Sequence, residues 1–154
     1  MWRNFVVAAS NFTCIYPITK AVANGDYVTA AAISFVSAAS IISHLVENHK
    51  HGMPGIGLSK RVSYILNRFD VLGCGLVTCR LGYLYLSKYG LSLSVFSGNR
   101  LLLLGAGMAF LFLRVSEHDK YNAKLRNIYM VTHCVWHLAI FKIIGWFLMK
   151  IIYV

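Results

Sequence analysis

Two histidines four residues apart, His133 and His137, stand in the run Val131-Thr132-His133-Cys134-Val135-Trp136-His137-Leu138-Ala139. On a helix that spacing stacks the two rings one turn apart on one face, where both can give a ring nitrogen to a single metal ion. A third histidine, His44, follows Ser40 at the same interval in Ser37-Ala38-Ala39-Ser40-Ile41-Ile42-Ser43-His44-Leu45-Val46-Glu47, and Glu47 comes three positions later on that side. Asp70 opens another apolar stretch, Leu66-Asn67-Arg68-Phe69-Asp70-Val71-Leu72. Neutral imidazoles suit zinc, and three protein nitrogens plus a water form the open zinc site of a catalyst. Taken singly, each histidine has a plainer role as an interfacial residue, a hydrogen-bonder between helices or a heme ligand. His49, His51 and His118 read as loop residues, and Ser34, Ser37 and Ser43 as small packing residues. The metal reading therefore rests on the constellation rather than on any one member.

What must position these groups is a lipid-embedded helical bundle. The chain has 154 residues, of which 58% are hydrophobic and 13% charged. A soluble domain carries about 25% charged residues. The apolar residues come in long runs separated by Lys, Arg, His, Gly and Pro, which is the pattern of bilayer spans and their loops. These runs predict an all-α, polytopic transmembrane bundle of about five helices in a single domain over residues 1–154. The spans are expected near residues 4–23, 27–47, 66–88, 99–115 and 125–153. Turns are expected at Asn24-Gly25-Asp26 and Ser97-Gly98-Asn99, and a loop at His51-Gly52-Met53-Pro54-Gly55-Ile56-Gly57. The fourth span is short, and Leu91 to Phe96 either extends it or forms a half-helix.

Five spans place the N-terminus, the end of the second helix and the starts of the third and fifth on one side. That side carries Arg3, Lys50, Lys60, Arg61, Arg68, Arg114, Lys120, Lys124 and Arg126, against Lys20, Lys88, Arg100 and Lys150 on the other. Basic loops stay inside, so the N-terminal side is expected in the cytoplasm, or in the matrix of a mitochondrion. At roughly 1.5 Å per residue, His44, Asp70, His133 and His137 all fall within that half of the bilayer. Ionisable groups inside a membrane are costly, and each is by default a functional-site hypothesis. Arg80 and Lys142, also within spans, are expected to snorkel or pair.

The formal charge of +10 is spread along the chain beside span ends, which favours anionic headgroups over a nucleic-acid face. Cys14, Cys74, Cys79 and Cys134 all lie in apolar segments and read as small buried residues, not a disulfide framework. The first span begins with Trp2-Arg3 like a signal peptide, but Asn11, Thr13 and Pro17 interrupt it and no small-residue cleavage motif follows. The sequon Asn11-Phe12-Thr13 falls inside this span, out of reach of glycosylation.

Ser40-x-x-x-His44, Asp70 at the start of the next helix and His133-x-x-x-His137 in the last helix together resemble the CREST superfamily. It comprises alkaline ceramidases, adiponectin and progestin receptors, GPI-lipid remodelling proteins and myomaker-like proteins; the Gly/Pro-bearing loop and the apolar stretch after His137 bring the myomaker branch nearest. The resemblance implies zinc on His44, His133 and His137, with Asp70 and Ser40 as catalytic residues beside the metal-activated water. It further implies hydrolysis of a lipid amide or ester, with Asp70 accepting a proton, Ser40 orienting the water or the oxyanion, and Glu47 supporting His44. Members have seven helices, so the chain resembles a reduced version of that fold with two middle helices missing, a change that preserves the direction of the last helix. Two non-enzymatic expectations stand beside this one. In the first, a myomaker-like membrane-remodelling factor uses the metal to tie helices together. In the second, an accessory or structural subunit of a larger membrane complex, such as a respiratory assembly, meets lipids or membrane-protein partners through its basic loops.

Overall fold

The computed structural model describes residues 2–47, 55–119 and 122–154. Among these the regular secondary structure is all helical, without strands. His49, Lys50, His51, Lys120 and the predicted loop as far as Pro54 lie outside the described residues. Five helical segments are long and apolar enough to cross a membrane, running Trp2–Ala23, Tyr27–Val46, Lys60–Tyr89, Ser94–Asp119 and Asn127–Ile152.

The first of these is not one regular helix. Helix α1 (Trp2–Ser10) tightens into a 3-10 turn at Asn11–Cys14 before α2 (Ile15–Ala23) continues. Pro17 explains the interruption, since its ring would clash with the carbonyl four residues back, at Thr13, and it has no N–H to donate. Polar side chains compete for the same carbonyls: Ser10 Oγ donates to Val7 O at 2.6 Å and Thr13 Oγ1 to Ser10 O at 2.8 Å. The chain then reverses at Gly25, whose φ of +72° suits glycine. Asp26 caps α3 (Tyr27–Val46) by accepting from Thr29 N at 3.0 Å.

Helix α4 (Lys60–Tyr89) begins earlier than the apolar run at Leu66 predicts, because Ser59 caps it, accepting from Val62 N at 3.3 Å. It ends at Gly90, with φ +59°. A 3-10 segment, Ser94–Asn99, stands where a half-helix was one expectation, and α5 (Arg100–Asp119) follows. The last helix, α6 (Arg126–Phe147), finishes in a π-turn at Leu148–Ile152. Its terminal carbonyls are satisfied by the end of α4: Lys88 Nζ donates to Ile152 O and Val154 O, and Tyr89 OH to Ile151 O.

The helices pack as two antiparallel pairs, α3 on α4 and α5 on α6, and the first span bridges them by lying against both α3 and α6. The core at this junction is built from Cys14, Ala21, Ala30, Ile33, Val36, Val77, Phe141, Ile144 and Leu148. Helices α4 and α5 are largely unburied, with apolar residues such as Leu76, Leu86, Leu104 and Phe110 facing outward. Lipid tails are as apolar as leucine, so small residues rather than a hydrophobic drive set such interfaces. At Gly73 the α3 backbone comes so close that an added Cβ would sit 2.8 Å from Val36 Cα, and at Gly145 it would meet the Tyr16 ring.

At the end of the bundle away from the N-terminus, Arg80, one of the two cations expected within spans, finds its partners. Arg80 Nη2 donates to Asp26 Oδ1 at 2.8 Å and its Nε to Thr29 Oγ1 at 3.0 Å, while Tyr153 OH donates to Asp26 Oδ2 at 3.1 Å. Lys142 Nζ instead lies over the rings of Tyr16 and Trp146, at 5.5 and 5.8 Å. Burial alone would push the Asp26 carboxyl up. Its hydrogen bonds from Thr29 and the bond and charge of Arg80 outweigh that and hold it below the ordinary carboxylate value.

Two outcomes follow for the chain in detergent. Gly73→Ala forces α4 off α3 and should cost about 1–3 kcal/mol. Gly75→Ala meets nothing within 4 Å and should gain up to about 1 kcal/mol of helix propensity. Opposite shifts of the melting temperature would bear this out. The folded-state value of Asp26 lies below the unfolded one, so its carboxylate stabilises the fold above pH about 4 and ceases to do so as pH falls below it. The melting temperature of the parent should therefore drop more between pH 5 and pH 3 than that of Asp26→Asn.

Candidate metal centre

At the N-terminal end of the bundle three imidazoles meet. His44 stands in the last turn of α3, just before Glu47 turns into extended backbone (φ −62°, ψ 122°). Asn4 of α1 fixes that exit by donating from Nδ2 to Glu47 O at 3.0 Å. His133 and His137 stand one turn apart on the inner face of α6. All three are buried, at 5%, 5% and 4% exposure. The rings face one another edge-on like blades about a point, with centroids 4.7 Å apart for His44 and His133, 5.3 Å for His44 and His137, and 4.7 Å for His133 and His137.

The three rings bring one nitrogen each to within 4.8 Å of one another, and among the described residues no other set of His, Cys, Asp or Glu does so. His44 Nε2 and His133 Nε2 are 3.2 Å apart. Two ligands on a tetrahedral zinc with bonds of 2.0–2.1 Å are separated by about 3.3 Å, so this spacing fits one shared ion. The same contact in a metal-free pair requires one shared proton, since two bare lone pairs repel. The donor set is all imidazole nitrogen, which suits zinc, copper, iron or nickel far better than magnesium or calcium.

The opposite edge of each ring is also engaged. His44 Nδ1 is 3.2 Å from Glu47 Oε2, His133 Nδ1 is 3.1 Å from Ser116 Oγ on α5, and His137 Nδ1 is 2.7 Å from Ser10 Oγ at the end of α1. Tyr129, buried one turn before His133, lies against that ring at a centroid distance of 5.2 Å. The centre thus draws on α1, α3, α5 and α6.

Ser40 is buried one turn before His44 on α3. Asp70 is half-buried on α4 and is not among the three converging donors. Asn67 Nδ2 reaches Ser43 Oγ at 3.3 Å, and Gly73 abuts Val36. The antiparallel register between those contacts sets Asp70 level with Ala39 and Ser40. The sequence reading missed Ser10, Ser116 and Tyr129. Ser10 lies 127 residues before His137 and Ser116 lies 17 before His133, and neither interval belongs to a helical pattern. His118, expected in a loop, is the penultimate residue of α5, with Nδ1 3.3 Å from Asp119 Oδ1.

Comparison with known proteins gives one informative match. A protein of Acanthamoeba polyphaga mimivirus, named Uncharacterized protein L282, is 50% identical over 151 residues, covering 98% of this chain and 99% of the viral protein. No family model matches the chain. No solved structure matches it either.

Proposed function

We propose that the chain, which belongs to one family with the mimivirus protein, is a multi-pass membrane protein that holds zinc and hydrolyses an amide or ester bond of a membrane lipid. The observation that carries this reading is the approach of three buried ring nitrogens, from His44, His133 and His137, to within 4.8 Å of one another. The resemblance to the CREST superfamily, drawn from the same histidines together with Ser40 and Asp70 in the order Ser40, His44, Asp70, His133, His137, agrees with it. The predominance of basic residues at the end of the bundle where this centre lies favours the cytoplasmic or matrix side for it.

Zinc on these three histidines supplies, when bound, a Lewis acid for the lipid carbonyl and a water made acidic near neutral pH. Asp70, level with Ser40 in the register of α3 and α4, takes the proton of the attacking water and passes it to the leaving group. The Ser40 hydroxyl donates a hydrogen bond to the oxygen that gains negative charge. Glu47 holds the His44 ring from behind.

A second reading, in which zinc clamps α3 to α6 without turnover in an accessory subunit or remodelling factor, is favoured by two features. Helices α4 and α5 leave long apolar faces that suit partner helices. A cavity of about 340 Å³, lined by residues such as Arg100, Trp146 and Lys150, opens at the far end of α6 from the histidines.

Purified protein should carry about one zinc per chain, and His133→Ala or His137→Ala should lose it. Release of fatty acid from a ceramide-type lipid, abolished in Asp70→Ala while the zinc is retained, is the result expected of the hydrolase. Zinc without release selects the clamp, and absence of zinc from the parent protein rejects both.

A further inference from the structure

The outward nitrogens of the three histidines determine where the inward lone pairs point. A serine hydroxyl has one proton. Ser10 Oγ lies 2.6 Å from Val7 O, and Ser116 Oγ lies 2.8 Å from Leu113 O. A carbonyl can only accept, and two oxygens at such distances without a hydrogen between them repel, so each hydroxyl proton is committed to the carbonyl three residues back. What remains on each serine is an acceptor. His137 Nδ1 at 2.7 Å and His133 Nδ1 at 3.1 Å must therefore be the protonated nitrogens, donating to Ser10 and Ser116. Glu47 imposes the same assignment on His44 with its carboxylate at 3.2 Å.

With all three protons on Nδ1, every Nε2 carries a bare lone pair, and those of His44 and His133 face each other at 3.2 Å. Neutral rings in this tautomer can only accept through Nε2, so two facing Nε2 atoms cannot bond each other, and a cation shared between them is what suits the arrangement. We propose that Ser10 and Ser116 are positioning residues that lock His137 and His133 in the Nδ1–H tautomer and aim both Nε2 atoms at one metal ion. This makes the first span and α5 working parts of the centre, although neither contributes a ligand. The kink ahead of Pro17 gains a purpose as well, since the 3-10 turn starts immediately after Ser10. The inference rests on the zinc reading above and specifies what that reading needs from two further helices. Outer hydrogen bonds of this kind typically change metal affinity by about 10–100-fold when removed.

The test uses the full chain in detergent, with zinc affinity measured by chelator competition and melting temperature measured with and without zinc. Ser10→Ala and Ser116→Ala should each weaken zinc by about 10–100-fold and shrink the zinc-induced rise in melting temperature, whatever fall in the zinc-free melting temperature the lost hydrogen bond brings. Ser10→Thr, which keeps a γ-hydroxyl able to bond the same carbonyl, should restore the affinity. If the parent binds zinc and both alanine variants bind it equally well, the positioning role is overturned and the zinc reading stands. It is likewise overturned if Ser10→Thr loses zinc as Ser10→Ala does, or if the alanine variants lower the zinc-free melting temperature and leave the zinc-induced rise intact. A parent protein that binds no zinc removes both.

Discussion

The fold depends on the mutual approach of three imidazoles in an apolar bundle. Burying polar groups away from water costs a few kcal/mol unless they are bonded, and inner nitrogens that face one another need a shared proton or a shared cation between them. Helices α3 and α6 are held together at this end through the rings themselves, His44 reaching across to His133 and His137. The first span covers the seam by lying against both helices, and α5 lies on the outer side of α6. Each neighbouring helix that touches the centre contributes an acceptor behind a ring: Ser10 from the first span and Ser116 from α5, with Glu47 supplied by the end of α3 itself.

The two ends of the bundle solve the same electrostatic problem in different ways. At the far end, a formal cation and a formal anion meet partly buried, Arg80 against Asp26, with Thr29 and Tyr153 filling the remaining bonding positions of the carboxylate. That network closes on itself and leaves no donor or acceptor aimed at an open point. At the near end the titratable groups are arranged around a shared point, with their outer edges satisfied and their inner edges converging. The first arrangement is a closed ion-pair network, and the second is one that a shared cation would fit.

Much of this was legible in the residues because the relevant spacings are short and helical. His133 and His137 share a face by their interval alone, and Ser40, His44 and Glu47 do likewise. Apolar runs located all five long helices, and the parity of the spans placed His44 on the same side as His133 and His137. What stayed hidden depends on tertiary register or on local competition for hydrogen bonds. The six additional residues at the start of α4 follow from a capping bond at Ser59, not from hydropathy. The 3-10 turn in the first span follows from Pro17 and from serine and threonine bonding backward. Ser10 and Ser116 looked like any other small residue in a span, since nothing local distinguishes a serine that packs from one that receives a histidine proton.

The exposure of α4 and α5 bears on how so small a chain sustains this centre. Each packs mainly against a single neighbour, α4 on α3 and α5 on α6, and both present apolar side chains outward along their length. In water such faces would collapse or aggregate, whereas in a bilayer they are solvated by acyl chains at no comparable cost. The bundle therefore needs only the first span, α3 and α6 to enclose the histidines, with α4 and α5 serving as outer walls. Helix α5 also supplies the hydroxyl behind His133, and α4 carries Asp70 at the level of Ser40. The outer partners of the three rings, Ser10, Glu47 and Ser116, lie on the first span, at the end of α3 and on α5, so these five helices suffice to assemble the triad.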